Sequence, residues 1–150
     1  MHEVGTSKDL GPEWLEAKRL LRGTEREYFE ALTSAASRRP EYAAVRARGV
    51  DEVFGTTGVP LEVEHVYPRS KIFNTPGFEK LHWPKQIKLF NFEPNLKLMS
   101  AEANAARGNI PYRSLQRSSW PKATQAEMAE LERRMQEEIE RMIKNPGLIP

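Results

Sequence analysis

Apolar positions divide the chain into two helical flanks and a middle that reads differently. Gly11-Pro12-Glu13 opens a first predicted helix, with Pro in its first turn, Trp14, Leu15 and Leu21 as buried contacts and Gly23 as its stop. Thr24 and Glu27 then make a capping-box signal for a second helix carrying Tyr28, Phe29 and Leu32. Pro40 breaks that run, and Glu41 to Arg48 reads as a short third helix ending at Gly49. At the other end, Met128, Leu131, Met135, Ile139 and Met142 recur at spacings of three and four, an amphipathic stripe behind a second capping box, Thr124 with Glu127. Asn145-Pro146-Gly147 stops this helix, and its methionines read as core filler rather than as a partner-binding groove.

In the middle the period changes. Gly55, Gly58 and Pro60 delimit a loop before Leu61-Glu62-Val63-Glu64-His65-Val66, which alternates like a strand. A long irregular stretch follows, punctuated by Pro68, Pro76, Gly77, Pro84 and Pro94, with a short helix over Gln86–Phe90. Asn95-Leu96-Lys97-Leu98-Met99 reads as a second short strand, and Ser100 as the N-cap of a helix over Ala101–Arg107 closed by Gly108. A structureless connection of this length inside a compact domain implies either a function or elements that this pattern does not reveal. The expected fold is a mostly helical α+β domain: a tail over 1–10, a helical extension over 11–54, a strand–strand–helix core over 60–115 and a C-terminal helix over 123–145.

Composition narrows the chemistry. With no Cys among 150 residues, a disulfide framework, a Cys-held zinc or iron–sulfur site and a cysteine nucleophile are excluded. The histidines are His2, His65 and His82, too few for an all-His zinc site, so any catalytic metal is expected to be a hard cation on oxygen ligands. The opening MHEVGTSKDL has no apolar core and no run approaches membrane-spanning length, which predicts a soluble domain without a signal peptide. Charge is unevenly spread. Residues 1–60 hold 9 basic and 10 acidic side chains, 61–122 hold 10 and 5, and 123–150 hold 4 and 6. The basic middle third invites a polyanion, although charge alone fits an ordinary solvated surface as well.

Glu64 and His65 adjoin at a strand end, and Asn104 lies a turn into the helix after the second strand. If the strands pair, that helix brings Asn104 towards Glu64 and His65, placing two oxygen ligands beside an imidazole. These parts suit phosphodiester hydrolysis, in which a metal stabilises charge on phosphate and leaving oxygen while a neutral imidazole takes a proton from water.

VEHVYPRS followed by NLKLMSAEANAARGN resembles the HNH (ββα-metal) endonuclease motif, over roughly residues 60–115. There an acidic residue and a His precede a Pro, an Asn opens the second strand, and a His or Asn follows about nine residues later; Asn95 and Asn104 have that spacing. The resemblance implies a ββα-metal core with a two-stranded antiparallel sheet, flanked by helices that brace it in place of the cysteine pairs it lacks. It also implies roles: His65 as general base, Glu64 and Asn104 as metal ligands with Glu102 as a further contributor, and Asn95 holding the loop backbone that aims His65. Arg107 would contact the scissile phosphate, and Arg69, Lys71, Lys97 and Arg113 would extend the phosphate track. Asn in place of a third His favours Mg²⁺ or Mn²⁺ over zinc. Tyr67, Trp83 and Tyr112 are candidates for stacking on bases or for the core, and His82 for a structural or substrate-side role.

No base-reading module is recognisable, which predicts cleavage of double-stranded DNA with little sequence specificity. The small core with private helical decoration is similar to the toxin domains of bacterial polymorphic toxins and type VI secretion effectors. That likeness implies delivery into a target cell, action in its cytoplasm and an acidic cognate immunity protein. HNH modules of restriction or phage-defence nucleases are the competing likeness. A non-catalytic nucleic-acid-binding or protein-interaction module is the reading from another class.

Overall fold

Capping begins the first described helix. The computed structural model describes residues 24–115 and 120–150; the tail 1–10 and the helix expected from Pro12 to Leu21 lie outside them. Helix α1 (Glu25–Ser37) starts on the predicted box: Thr24 Oγ1 accepts the Glu27 amide at 3.1 Å and Glu27 Oε1 accepts the Thr24 amide at 2.8 Å. It buries Ala31, Leu32, Ala35 and Ala36. Pro40 does more than end it, because Pro fits the first helical position and here opens α2 (Pro40–Arg46).

Strands β1 (Leu61–His65) and β2 (Leu96–Ser100) pair antiparallel, from Leu61 opposite Ser100 to His65 opposite Leu96. Each differs by one residue from the sequence expectation, which ended β1 at Val66 and began β2 at Asn95. The reason is local: Val66 donates its amide to the Asn95 carbonyl at 3.0 Å, and the Asn95 side chain turns to the Tyr67 backbone instead of joining the ladder. Glu52 covers the other edge of β2, giving its amide to the Leu98 carbonyl (2.7 Å) and accepting the Leu98 amide on Oε1 (2.8 Å).

The connection between the strands is not irregular as expected. It folds into α3 (Arg69–Phe73) and α4 (Trp83–Phe90) with 3₁₀ turns at Phe78–Lys80 and Glu93–Asn95. Pro68 caps α3, and Pro84 and Pro94 sit in the first turns of α4 and the second 3₁₀ segment, so these prolines start elements rather than interrupt them. Helix α5 (Ala101–Arg107) begins as predicted, with Ser100 Oγ accepting the Ala103 amide at 3.2 Å, and ends at Gly108, whose φ of +56° suits glycine.

Helix α6 (Lys122–Lys144) starts earlier than predicted. Gln125 donates its amide to the Pro121 carbonyl, so Thr124 lies inside the first turn and the Thr124–Glu127 box does not form. Its stripe is buried as expected at Met128, Met135, Ile139 and Met142, with Leu131 half-buried. Ile139 and Met142 meet Leu32 of α1 and Leu89 and Phe90 of α4 in the largest apolar core. A second cluster sets Tyr42 and Val45 of α2 against Val63, Leu96 and Leu98 of the sheet. The fold is a mostly helical α+β arrangement around a two-stranded antiparallel sheet. Among the described residues no helix is long and apolar enough to cross a membrane.

Ile139 is fully buried where α6 meets α1 and α4. Ile139→Ala is expected to lower unfolding free energy by about 2–5 kcal/mol in urea titrations. A loss below about 1 kcal/mol would show that α6 is not packed on this core.

Candidate active site

His65 ends β1 with its ring buried, and its Nε2 lies 2.8 Å from the Phe90 carbonyl oxygen at the end of α4. A carbonyl only accepts, so Nε2 carries the proton and Nδ1 the lone pair. Burial, reinforced by the nearby Arg69 charge and opposed by the Phe90 carbonyl, pushes the imidazole pKa down to about 3. His65 is therefore neutral throughout the neutral range, as a base must be.

Asn95 has no exposed surface. Its Oδ1 accepts the Tyr67 amide at 2.8 Å and its Nδ2 donates to the Tyr67 carbonyl at 3.0 Å, closing the loop just beyond His65. This is the bracing geometry expected for Asn95.

Glu62 and Glu64 share the face of β1 that meets α5. Glu64 Oε2 accepts Arg107 Nη1 at 2.8 Å and the Tyr112 hydroxyl at 2.5 Å. Asn104 Nδ2 donates to Glu62 Oε1 at 2.8 Å. His65, Glu64 and Asn104, together with Arg69 and Ser70 of α3 and with Asn109, line one cleft of about 320 Å³. A larger cavity of about 650 Å³, lined by Tyr28, Phe73, Trp83 and His82, holds none of the residues proposed for catalysis. Half-buried Arg69 makes no ion pair among the described residues, so its cation faces the cleft uncommitted.

The cleft carries oxygen donors of the kind that a hard divalent cation takes. Among the described residues nothing hydrogen-bonds Glu64 Oε1 or Asn104 Oδ1, which leaves two oxygen donors beside His65. Burial pushes the Glu64 carboxyl pKa up, against Arg107 and the Tyr112 hydroxyl that pull it down, so a further cation there would be stabilising. Mg²⁺ keeps most of its waters and needs only one or two such ligands. No cluster of three or more His, Cys, Asp or Glu able to cage a metal occurs among the described residues.

Arg107 is the main correction. Expected at the phosphate, it has no exposed surface and is spent on the protein: Nη1 on Glu64 and the His65 carbonyl, Nη2 on Glu132 at 2.8 Å, Nε on the Ile110 carbonyl at 2.7 Å. Its guanidinium also stacks 4.0 Å from the Tyr112 ring centroid. Tyr67 and Tyr112 are buried, so neither offers a free face for bases, and Trp83 is half-buried against the core, lining the larger cavity and not the cleft. Glu102 and Arg113 are exposed, and neither they nor Lys71 and Lys97 line the cleft. Lys97 lies opposite Glu64 in the ladder, and its charge acts on Glu52.

Three contributors were missed. Glu62 was legible, since residues two apart on a strand share a face. The Phe90 carbonyl and Glu132 carry no local signal. No protein-family model, no curated protein and no solved structure matches the chain.

The neutral His65 has a consequence for stability. Its folded pKa of about 3 lies below the unfolded value of about 6.5, so between the two the unfolded chain binds the extra proton and stability falls as pH falls. The stability difference between wild type and His65→Gln, from urea unfolding at pH 7.5 and 4.5, is expected to shrink at the lower pH. A difference independent of pH would contradict the neutral, buried imidazole.

Proposed function

We propose that the chain is a metal-dependent endonuclease that hydrolyses DNA phosphodiester bonds with little sequence specificity. The observation that carries this reading is His65, held neutral with Nε2–H on the Phe90 carbonyl and Nδ1 unprotonated, in one cleft with Glu64, Asn104 and Arg69. Strand β1 supplies Glu64 and His65, α3 supplies Arg69 and α5 supplies Asn104; Glu64, His65 and Asn104 are the residues at which the sequence resembles the HNH motif.

Each residue then has a task. Arg69 pairs with a phosphate oxygen of the substrate and orients the diester. Nδ1 of His65 accepts a proton from the attacking water, and the bond from phosphorus to the leaving oxygen breaks. Burial is the main cause that disfavours imidazolium in the free protein and Arg69 adds to it, so a phosphate that neutralises Arg69 relieves the Arg69 part of that effect when substrate is present. Glu64 Oε1 and Asn104 Oδ1 would hold Mg²⁺ or Mn²⁺, which when bound supplies charge stabilisation for the phosphate and the leaving oxygen. Asn95 and Phe90 keep the imbalance of the two ring nitrogens fixed, a preorganisation that catalysis benefits from.

The setting we propose is a bacterial toxin domain with an acidic immunity partner over the basic middle third, supported by the sequence likeness alone. The binding-module reading leaves unexplained why a neutral imidazole, two spare oxygen donors and an unpaired arginine converge on one cleft.

Supercoiled plasmid with Mg²⁺ should be nicked by wild type and not in EDTA. His65→Ala should lower the rate by about 10²–10⁴-fold, with DNA affinity in EDTA within about threefold, since His65 holds no phosphate. Arg69→Ala should weaken that affinity. Equal nicking by wild type and His65→Ala would overturn the mechanism, and binding without cleavage by either would favour a non-catalytic module.

A further inference from the structure

Glu132 lies on α6, outside the strand–strand–helix core, yet it reaches the cleft through a closed ring of contacts. Its Oε2 accepts Arg107 Nη2 and its Oε1 accepts the Tyr112 amide, both at 2.8 Å. Arg107 and the Tyr112 hydroxyl both end on Glu64 Oε2. All four residues are buried.

Counting charges on the ionised groups, one guanidinium stands between two carboxylates, so Glu64, Arg107 and Glu132 together carry a net charge of −1. Without the charge on Glu132 the same group would be neutral, and Arg107 would have Glu64 as its only anionic partner. In a water-poor surrounding that difference is felt strongly by a cation at Glu64 Oε1, the oxygen that the ring leaves without a hydrogen bond.

We infer that Glu132 is a positioning residue for the metal site, drawing Arg107 partly away from Glu64 so that Glu64 keeps the negative charge needed to hold a divalent cation. This rests on the nuclease reading above. It assigns α6 a part in the chemistry beyond packing: the C-terminal helix completes a site whose reacting groups lie wholly in residues 64–104. Groups that hold a ligand in place change metal affinity by about 10–100-fold when altered.

The test uses the full chain, with Mn²⁺ as probe and electron paramagnetic resonance as the readout of binding, alongside plasmid nicking as a function of Mg²⁺. Glu132→Gln keeps an oxygen for the Tyr112 amide and removes the charge. It is expected to raise the Mn²⁺ dissociation constant, and the Mg²⁺ concentration for half-maximal nicking, by about tenfold or more, with the loss largely recovered at saturating Mg²⁺. The double variant Arg107→Met with Glu132→Gln restores the net charge of −1 and should bring Mn²⁺ affinity back to within about threefold of wild type. Wild-type Mn²⁺ binding and nicking with Glu132→Gln unchanged in both would overturn this inference and leave the nuclease reading standing. A Glu132→Gln loss that the double variant does not recover would overturn it too, because the role would then be structural. A wild type that neither binds Mn²⁺ nor nicks DNA would overturn both.

Discussion

A fully buried guanidinium must be met by acceptors on every side, and Arg107 meets that requirement by drawing three other parts of the chain onto α5. Glu64 on β1, the His65 backbone, the Ile110 loop carbonyl and Glu132 on α6 all point at it, and the Tyr112 ring lies against its face. Removing one partner from such a group costs about 3–5 kcal/mol, which is what ties these elements together. The same constraint decides the cleft. Because Arg107 takes Glu64 Oε2, the other oxygen is left without a hydrogen bond among the described residues, in a residue that lines the cleft with Asn104 and His65. With no cysteine in the chain, an ion-pair network and a helix brace this core.

His65 depends on a second set of constraints, all from backbone. The Phe90 carbonyl selects the tautomer, and Asn95 locks the Tyr67 peptide that follows. Both come from the end of the connection between the strands, so the folding of residues 66–95 into short helices has a purpose beyond filling space: it delivers one carbonyl to one ring nitrogen. Arg69 arrives on the same connection, at the first turn of α3, and takes the place in the cleft that Arg107 cannot.

Which parts were legible in the sequence follows from distance along the chain. The Thr24–Glu27 box, the Ser100 cap and the α6 stripe involve neighbours within a few turns, and each is present as read or within a residue or two. His65, Glu64 and Asn104 were legible because strand pairing and one helix turn suffice to bring them together. Arg107 was misassigned because its partner Glu132 lies 25 residues on, and nothing local says where α6 docks. The Pro-rich stretch reads as irregular for another reason: Pro68, Pro84 and Pro94 punctuate the pattern, whereas a proline is well tolerated at a helix start, where each of them sits. The Thr124 box failed because the Pro121 carbonyl captured Gln125 first.

The account centres on a neutral His65 with Nε2 protonated and Nδ1 facing substrate, and nitrogen-detected NMR of histidine-labelled protein reads both ring nitrogens directly. The three histidines of the chain make assignment tractable. The result predicted is a His65 with a proton on Nε2 that does not titrate near the ordinary value of about 6.5, and whose Nδ1 resonance, but not Nε2, moves when a short DNA duplex and Ca²⁺ are added. A proton on Nδ1, or two ring nitrogens that do not sense the duplex, would contradict it.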